Sequence, residues 1–440
     1  MKKIRTFVYE HKWILLIVCA LFIERLYGGY TLGIDYNLGN DDLSYVNSGI
    51  EFAKTGVITM HGGLSAQIMP GMPILIGTVS FLFGEGRAMW FVLKILWWLM
   101  GSLTAFFVYK SITIFVPRAC GILASLAFFA PDFVWMDNLI LTETPFMLCF
   151  SIMIYATLMM VYNKKYFWIC ALSYMLALMF KANIAVYPLF AMCYLLVKKY
   201  DVKVFVKQCF ILASMVLCFI IPWSIRNYIH YDAFIPLTYG SGNPMLLGTY
   251  QGHGYPTDEE LDYVKNVDEV AAREYKKYYN ENGEFKEEHL RSYVLLEKDG
   301  VKAKYRLQEW VKKDPLSMID SYLIQKPISM IDDVFYWETL WEVPCEILRS
   351  IRKIDAAFCM FTIFLAFYFK KYRKEILFLT GLYVGNIYIY SMTFAFDRYA
   401  QTLMPIRFII FGMGCYLVLW LMKELLGLNN TSIQIERKEI

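Results

Sequence analysis

The chain has 440 residues, 58% of them hydrophobic and 19% charged, with a formal net charge of +4. Soluble domains hold about 45–50% apolar and about 25% charged residues, so the composition excludes an ordinary soluble domain and points to a chain threaded repeatedly through a bilayer. No nucleic-acid partner is expected, membrane lipids are, and the sidedness of the charge says more than its sum.

The first stretch, MKKIRTFVYEHKW, leads into an apolar run from Ile14 to Ile23. Glu24-Arg25-Leu26-Tyr27 follows in place of a small-residue cleavage site, so an uncleaved first span is expected. Further apolar runs fall at 88–109, 113–135, 139–162, 166–180, 183–197, 205–225, 354–369, 376–395 and 404–422. With the first, at 13–33, they predict ten spans, since a crossing needs about 20 residues. The run 72–83 is shorter and suits an interfacial helix on the outer face. With ten spans, the short loops holding Lys110/Arg118, Lys164/Lys165, Lys198/Lys199 and Lys370/Lys371 share one side with both termini. That side is the cytoplasm by the positive-inside rule. The expected setting is therefore a bacterial cytoplasmic membrane, with residues 33–87 and 227–352 outside.

Four parts follow: a transmembrane module over 1–226 with its outer loop at 33–87, an outer segment over 227–352, C-terminal spans over 353–428, and a polar tail over 429–440. The outer segment carries 22 acidic against 15 basic residues and is too long for a connector. It opens with the turn-rich stretch IPLTYGSGNPMLLGTYQGHGYP. From Asp258, an expected N-cap, it reads as helix. Tyr305, Leu307, Trp310 and Val311 are expected on one helical face. The fold class is therefore an all-α polytopic membrane protein with a small, mostly helical outer domain. Nine of the ten cysteines lie in or beside apolar runs, so neither a disulfide framework nor a zinc site is expected.

The loop after the first span holds Asp35, Asp41 and Asp42 and ends in the turn Pro70-Gly71-Met72-Pro73. Asn40-Asp41-Asp42 precedes LSYVNSGIEFAKTG, a short helix closed by Gly56, with Asn40 or Asp41 as N-cap. The acidic pair either caps that helix or works as a general base or ion-binding pair at the water–lipid boundary. Asp132, Asp137 and Glu143 cluster in APDFVWMDNLILTETPFML. Glu143 stands out because an ionisable group beside an apolar run is costly. Lys181, Arg226 and Arg398 sit at outer span ends, against the positive-inside rule, and suit a phosphate. His61 and His253 lie among glycines on the outer side, where either could bind substrate or a metal. The acids offer the oxygen ligands a divalent metal takes, but no spacing demands one, and no other cofactor is expected.

The ordered set of an acidic pair after the first span, YVNSGIEFAKTG, PGMPILIG, LTETPFML, PWSIRNYIHYDAFIPLTYGSGNPMLLGTY, WVKKDPLSMIDSYLIQKP and DRYAQTLMP resembles bacterial GT-C glycosyltransferases. These membrane enzymes are similar to dolichyl-phosphate-mannose protein mannosyltransferases and to lipid A aminoarabinose transferase. The resemblance implies transfer of a hexosyl or pentosyl group from a polyprenyl-phosphate carrier to a lipid, glycan or protein acceptor on the outer face. It implies Asp41 as catalytic base and Asp42 as the second acid, with Glu143, Arg226 and Arg398 at recurrent outer-face positions; Asp42, Tyr45, His61 and Glu143 are expected towards substrate. The chain departs from the family pattern at Ser44, Met69 and Lys181-Ala182-Asn183, so the donor phosphate falls to Lys181, Arg226 and Arg398. The alternative is a transporter or lipid-carrier flippase. Transporters usually carry ionisable groups near the bilayer midplane and two related halves; here only Lys94 and Arg407 lie towards span interiors, and no repeat is evident.

Overall fold

The computed structural model describes residues 2–252 and 263–426. His253, the expected cap Asp258 and the tail 429–440 lie outside the described residues. The first half contains α1 (Lys2–Leu32), α2 (Asp41–Thr55), the hairpin strands β1 (Thr59–Met60) and β2 (Gly63–Leu64), and α3 (Gly71–Phe83). Next come α4 (Arg87–Thr113), α5 (Arg118–Ser125), α6 (Pro131–Met136), α7 (Glu143–Met160), α8 (Tyr166–Phe180), α9 (Tyr187–Val197) and α10 (Val202–Tyr231). The outer segment holds α11 (Gly242–Gly248), α12 (Tyr263–Glu274), α13 (Glu288–Lys313), α14 (Pro315–Asp320) and α15 (Lys326–Asp332). Then follow α16 (Cys345–Tyr368), α17 (Arg373–Ser391), α18 (Asp397–Thr402) and α19 (Met404–Leu425).

Among the described residues, five helices are long and apolar enough to cross a membrane: α1 from Val8, α4, α7, α10 and α19. The other apolar runs lie on shorter helices or on α16 and α17, whose first turns are charged. The run 113–135 is not one helix. Pro117 and Ala130 are extended, at ψ 149° and 137°, and divide it into α5, a 3₁₀ turn at Leu126–Phe129 and α6. A residue before or at proline disfavours helix continuation.

α7 forms the centre, packed against α4 and α8, and nearly every one of its residues is buried. α10 is its opposite: hardly any residue of its most apolar stretch is fully buried. The outer segment does not stand on its own core. Tyr231 and Tyr239 pack with Tyr278 and Tyr293 in the same cluster that runs through the bundle. On α13, Trp310 is fully buried while Val311 is half exposed, so the expected single face is narrower than the sequence suggests.

α2 and α3 cross at two glycines. A Cβ on Gly49 would lie 2.4 Å from Ile76 Cγ2, and one on Gly77 would lie 2.9 Å from the Gly49 carbonyl. Met72, Ile76 and Val79 line the buried stripe of α3, and Phe81, Leu82 and Phe83 face outwards. Over-packing costs about 1–3 kcal/mol, so Gly49→Val is expected to lower the thermal unfolding midpoint of the detergent-solubilised protein. An unchanged midpoint would mean that the two helices separate freely.

Candidate active site

Residues from four distant parts of the chain meet at one end of the bundle. α2 begins at Asp41, as expected, but Asn40 makes no side-chain cap. Asp42 does that work. Its Oδ2 accepts from Leu38 N–H at 2.6 Å, and its Oδ1 accepts from Asn40 N–H at 3.1 Å and Leu43 N–H at 2.8 Å. Asp42 is thus turned inward and 1% exposed. Its place is in closing the loop, where three amide donors satisfy the charge.

Asp41 points the other way. Its Oδ2 accepts from Arg398 Nη1 at 2.8 Å, and its Oδ1 lies 3.9 Å from His61 Nε2. About a third of its side chain remains exposed. The two adjacent acids therefore do not offer one ion a shared ligand set. Among the described residues, no three His, Cys, Asp or Glu side chains group closely enough to hold a metal.

His61 reaches Asp41 because of the hairpin. β1 and β2 pair with Met60 opposite Gly63, leaving His61 and Gly62 as a two-residue turn. Both have positive φ, 50° and 83°, the pattern of a primed hairpin turn. The other ring nitrogen of His61, Nδ1, lies 3.0 Å from Ser44 Oγ, one turn along α2 from Asp41.

Glu143 is the first residue of α7 and has no exposed side-chain surface. Lys181 Nζ donates to its Oε1 at 2.8 Å, and Arg398 donates to both carboxylate oxygens, Nε at 3.2 Å and Nη2 at 3.4 Å. Lys181 sits at the break between α8 and a 3₁₀ turn at Ala182–Val186. Its ammonium also rests 5.0 Å from the centre of the Tyr399 ring. Burial alone would depress the Arg398 guanidinium, but the carboxylates of Glu143 and Asp41 more than reverse this and hold it as a cation. Burial pushes the hydroxyl of Tyr45 up, so it stays neutral.

The cluster thus balances two carboxylates, Asp41 and Glu143, against two cations, Lys181 and Arg398. Arg226 is not part of it. It donates Nη1 to Ser65 O and to Asn227 Oδ1, both at 2.9 Å, and packs on Trp223. The expected three-cation cradle becomes a two-cation cluster and a loop anchor at the same end of the bundle.

The sequence singled out Lys94, Asp132 and Asp137 but not the partners that make them supporting groups. Lys94 is buried in α4 and donates to Tyr36 O, at 2.8 Å, and to Asn138 O, joining the loop before Asp41 to the loop before Glu143. Asp137 pairs with Arg25 Nε at 2.6 Å and accepts from Thr144 Oγ1 at 2.7 Å. Asp132 pairs with Arg352 and accepts from Gln401 of α18 at 2.7 Å. A cation inside an apolar run was the available signal for Lys94; its carbonyl partners, 58 and 44 positions away in sequence, left none.

Asp397, next to Arg398, accepts from Trp337 Nε1 at 2.6 Å. Burial raises its carboxyl to about 6. A carboxyl raised above its unfolded value binds its proton more tightly when folded, so it favours the fold below about pH 4 and loses that contribution as pH rises through 6. Asp397→Asn is therefore expected to remove a fall in stability between pH 4 and 6. Denaturant midpoints across that range check this; parallel profiles for the two proteins would contradict it.

No known protein family matches the chain in sequence, and no curated protein does. Solved structures do match in fold. Over 96% of its length the chain superposes on the archaeal oligosaccharyltransferase AglB from Archaeoglobus fulgidus, in complex with an inhibitory peptide and a dolichol-phosphate, with a TM-score of 0.54 and 10% identity. It covers 52% of that protein, about half its length. ArnT from Cupriavidus metallidurans, bound to undecaprenyl phosphate, is similar at a TM-score of 0.42 and 13% identity, with 96% of this chain and 82% of that one covered. At 10% identity, what the chain shares with the oligosaccharyltransferase is its fold: the all-α bundle of apolar helices expected from the sequence.

Proposed function

We propose that the chain is a membrane glycosyltransferase that moves a hexosyl or pentosyl group from a polyprenyl-phosphate carrier to a hydroxyl of a lipid, glycan or protein acceptor. The observation that carries this reading is the single hydrogen-bonded cluster of Asp41, Arg398, Glu143 and Lys181 at one end of an apolar bundle. It supplies a part-exposed carboxylate beside two cations, which is what transfer from a lipid phosphate requires.

The bookkeeping of the step is simple. The acceptor oxygen bonds to the anomeric carbon, the bond from that carbon to the phosphate oxygen breaks, the acceptor proton goes to Asp41 and the electron pair stays on the phosphate. Arg398 and Lys181 stabilise the charge that gathers on the leaving phosphate. At rest Arg398 is paired with Asp41, so the guanidinium occupies one of its carboxylate oxygens. Donor binding draws the guanidinium to the phosphate and frees Asp41 to accept the proton. Glu143 keeps the two cations together. His61 and Tyr45 border Asp41 on the substrate side. The reaction belongs on the extracytoplasmic face of a bacterial cytoplasmic membrane, where the short cationic loops leave these groups.

The test is release and transfer of labelled sugar from polyprenyl-phosphate sugars by the purified protein in lipid. Transfer from one donor of a panel is expected. Solute counterflow in liposomes without any sugar transfer would replace the reading with transport.

A further inference from the structure

Beside the cluster, residues 333–344 form a loop rich in aromatic and acidic side chains. Phe335 is buried, while Trp337 is 50% exposed. Phe335 meets the Trp337 ring edge-on, at 88° and 5.1 Å. Trp135 and Phe396 are tilted to it by 55° and 44°. Its N–H is held by Asp397 at 2.6 Å. The indole is therefore held by tilted and T-shaped neighbours with half its surface open, and no ring among the described residues stacks parallel to it. Arg398, the residue after Asp397, lies 6.0 Å from the rings of both Phe335 and Phe396, so the fixed indole adjoins the reacting groups.

We propose that the exposed face of Trp337, with Asp397 at its edge, is a sugar subsite for an uncharged pyranose. The C–H bonds on the flatter side of such a ring carry slight positive charge and pack against the electron-rich face of an indole. Asp397 keeps lone pairs for ring hydroxyls, since among the described residues its oxygens accept from the Trp337 indole and from Arg398 N–H alone. Glu338, the next residue along, accepts from the Tyr36 hydroxyl and adds negative potential. Two acids at the rim disfavour a uronic acid. The sugar is that of the donor or of the acceptor. The subsite's place in catalysis rests on the transferase reading; binding of a sugar there does not.

The experiment is saturation-transfer NMR on the full-length protein in nanodiscs, with methyl glycosides of glucose, galactose, mannose and N-acetylglucosamine and with methyl glucuronide. At least one uncharged glycoside is expected to receive transfer, concentrated on the protons of one ring face. Trp337→Ala is expected to weaken it about tenfold, the worth of one aromatic contact. Trp337→Phe, which keeps a ring in place, is expected to retain most of it, and the glucuronide is expected to bind more weakly throughout. Absence of transfer to every uncharged glycoside, transfer undiminished in Trp337→Ala, or glucuronide binding as well as the rest would each overturn the proposal. So would the behaviour of a membrane-interface anchor: altered quenching of Trp337 by brominated lipid with sugar binding untouched. In a transfer assay, Trp337→Ala raises KM for the donor if the subsite holds the donor sugar, and for the acceptor if it holds that one. Wild-type KM and kcat in that variant sink the subsite and spare the transferase; sugar binding in a protein that transfers nothing does the reverse.

Discussion

Asp41→Asn is expected to lower kcat about 10²–10⁴-fold, the usual worth of a positioned general base, while leaving the thermal midpoint almost unchanged. The separation of the two effects follows from exposure. A third of the Asp41 side chain is open to solvent, and an ion pair of that kind contributes about 0–1 kcal/mol. The amide oxygen of Asn can still accept from Arg398, so the local structure is retained and only the proton acceptor is lost. The adjacent acid provides the contrast. Asp42 is buried and its two oxygens accept three backbone N–H groups. Asp42→Asn turns one acceptor into a donor facing donors, with a stability cost of about 1–3 kcal/mol. Neighbouring variants thus divide activity from folding. Radiolabel transfer and thermal melts of the same preparations check both, and Asp41→Asn at wild-type kcat removes Asp41 from the mechanism.

Glu143→Gln is expected to cost about 3–5 kcal/mol, the range for removing one partner of a buried ion pair. Glu143 is the carboxylate that Lys181 and Arg398 share. Without its charge two cations crowd one end of the bundle, with only the half-solvated Asp41 as counter-ion. Glu143→Gln combined with Lys181→Met removes one of these cations and is expected to recover part of the lost stability. Chemical denaturation of the single and double variants measures the recovery. A double variant no more stable than the single one would show that Glu143 is held by packing and not by charge.

The sequence carried the class of the fold plainly because hydrophobic run length is a local property. It also carried the start of α2 at Asp41 and its end at Gly56, which has a φ of 73° and no Cβ to clash. The cations at span ends were legible for the same reason: Lys181 and Arg398 oppose a simple charge rule. Their grouping was not. Arg226 obeys the same local pattern as Arg398, yet its guanidinium meets the carbonyls of Ser65 and Ile58. Nor could sequence tell Asp41 from Asp42. Which of two adjacent acids faces inward depends on where the preceding loop brings its amide groups. The break of 113–135 into three pieces was available from Pro117 and Pro131, whose punctuation outweighs a continuous apolar composition.

α10 has thirty residues, about 45 Å of helix at 1.5 Å per residue, against about 30 Å of hydrocarbon. It is fastened chiefly at its extremities: Asp201 to Lys164 at the foot, and Arg226 to Ser65 at the head. Its apolar run, 205–225, is about 31 Å long and matches the hydrocarbon, so the extra length carries the charged ends, Lys203 and Lys207 at the foot and Arg226 at the head, into the two interfaces. Through Arg226 and Ser65, the segment that follows the His61 hairpin is thereby moored to the interfacial end of this strut, next to Asp41.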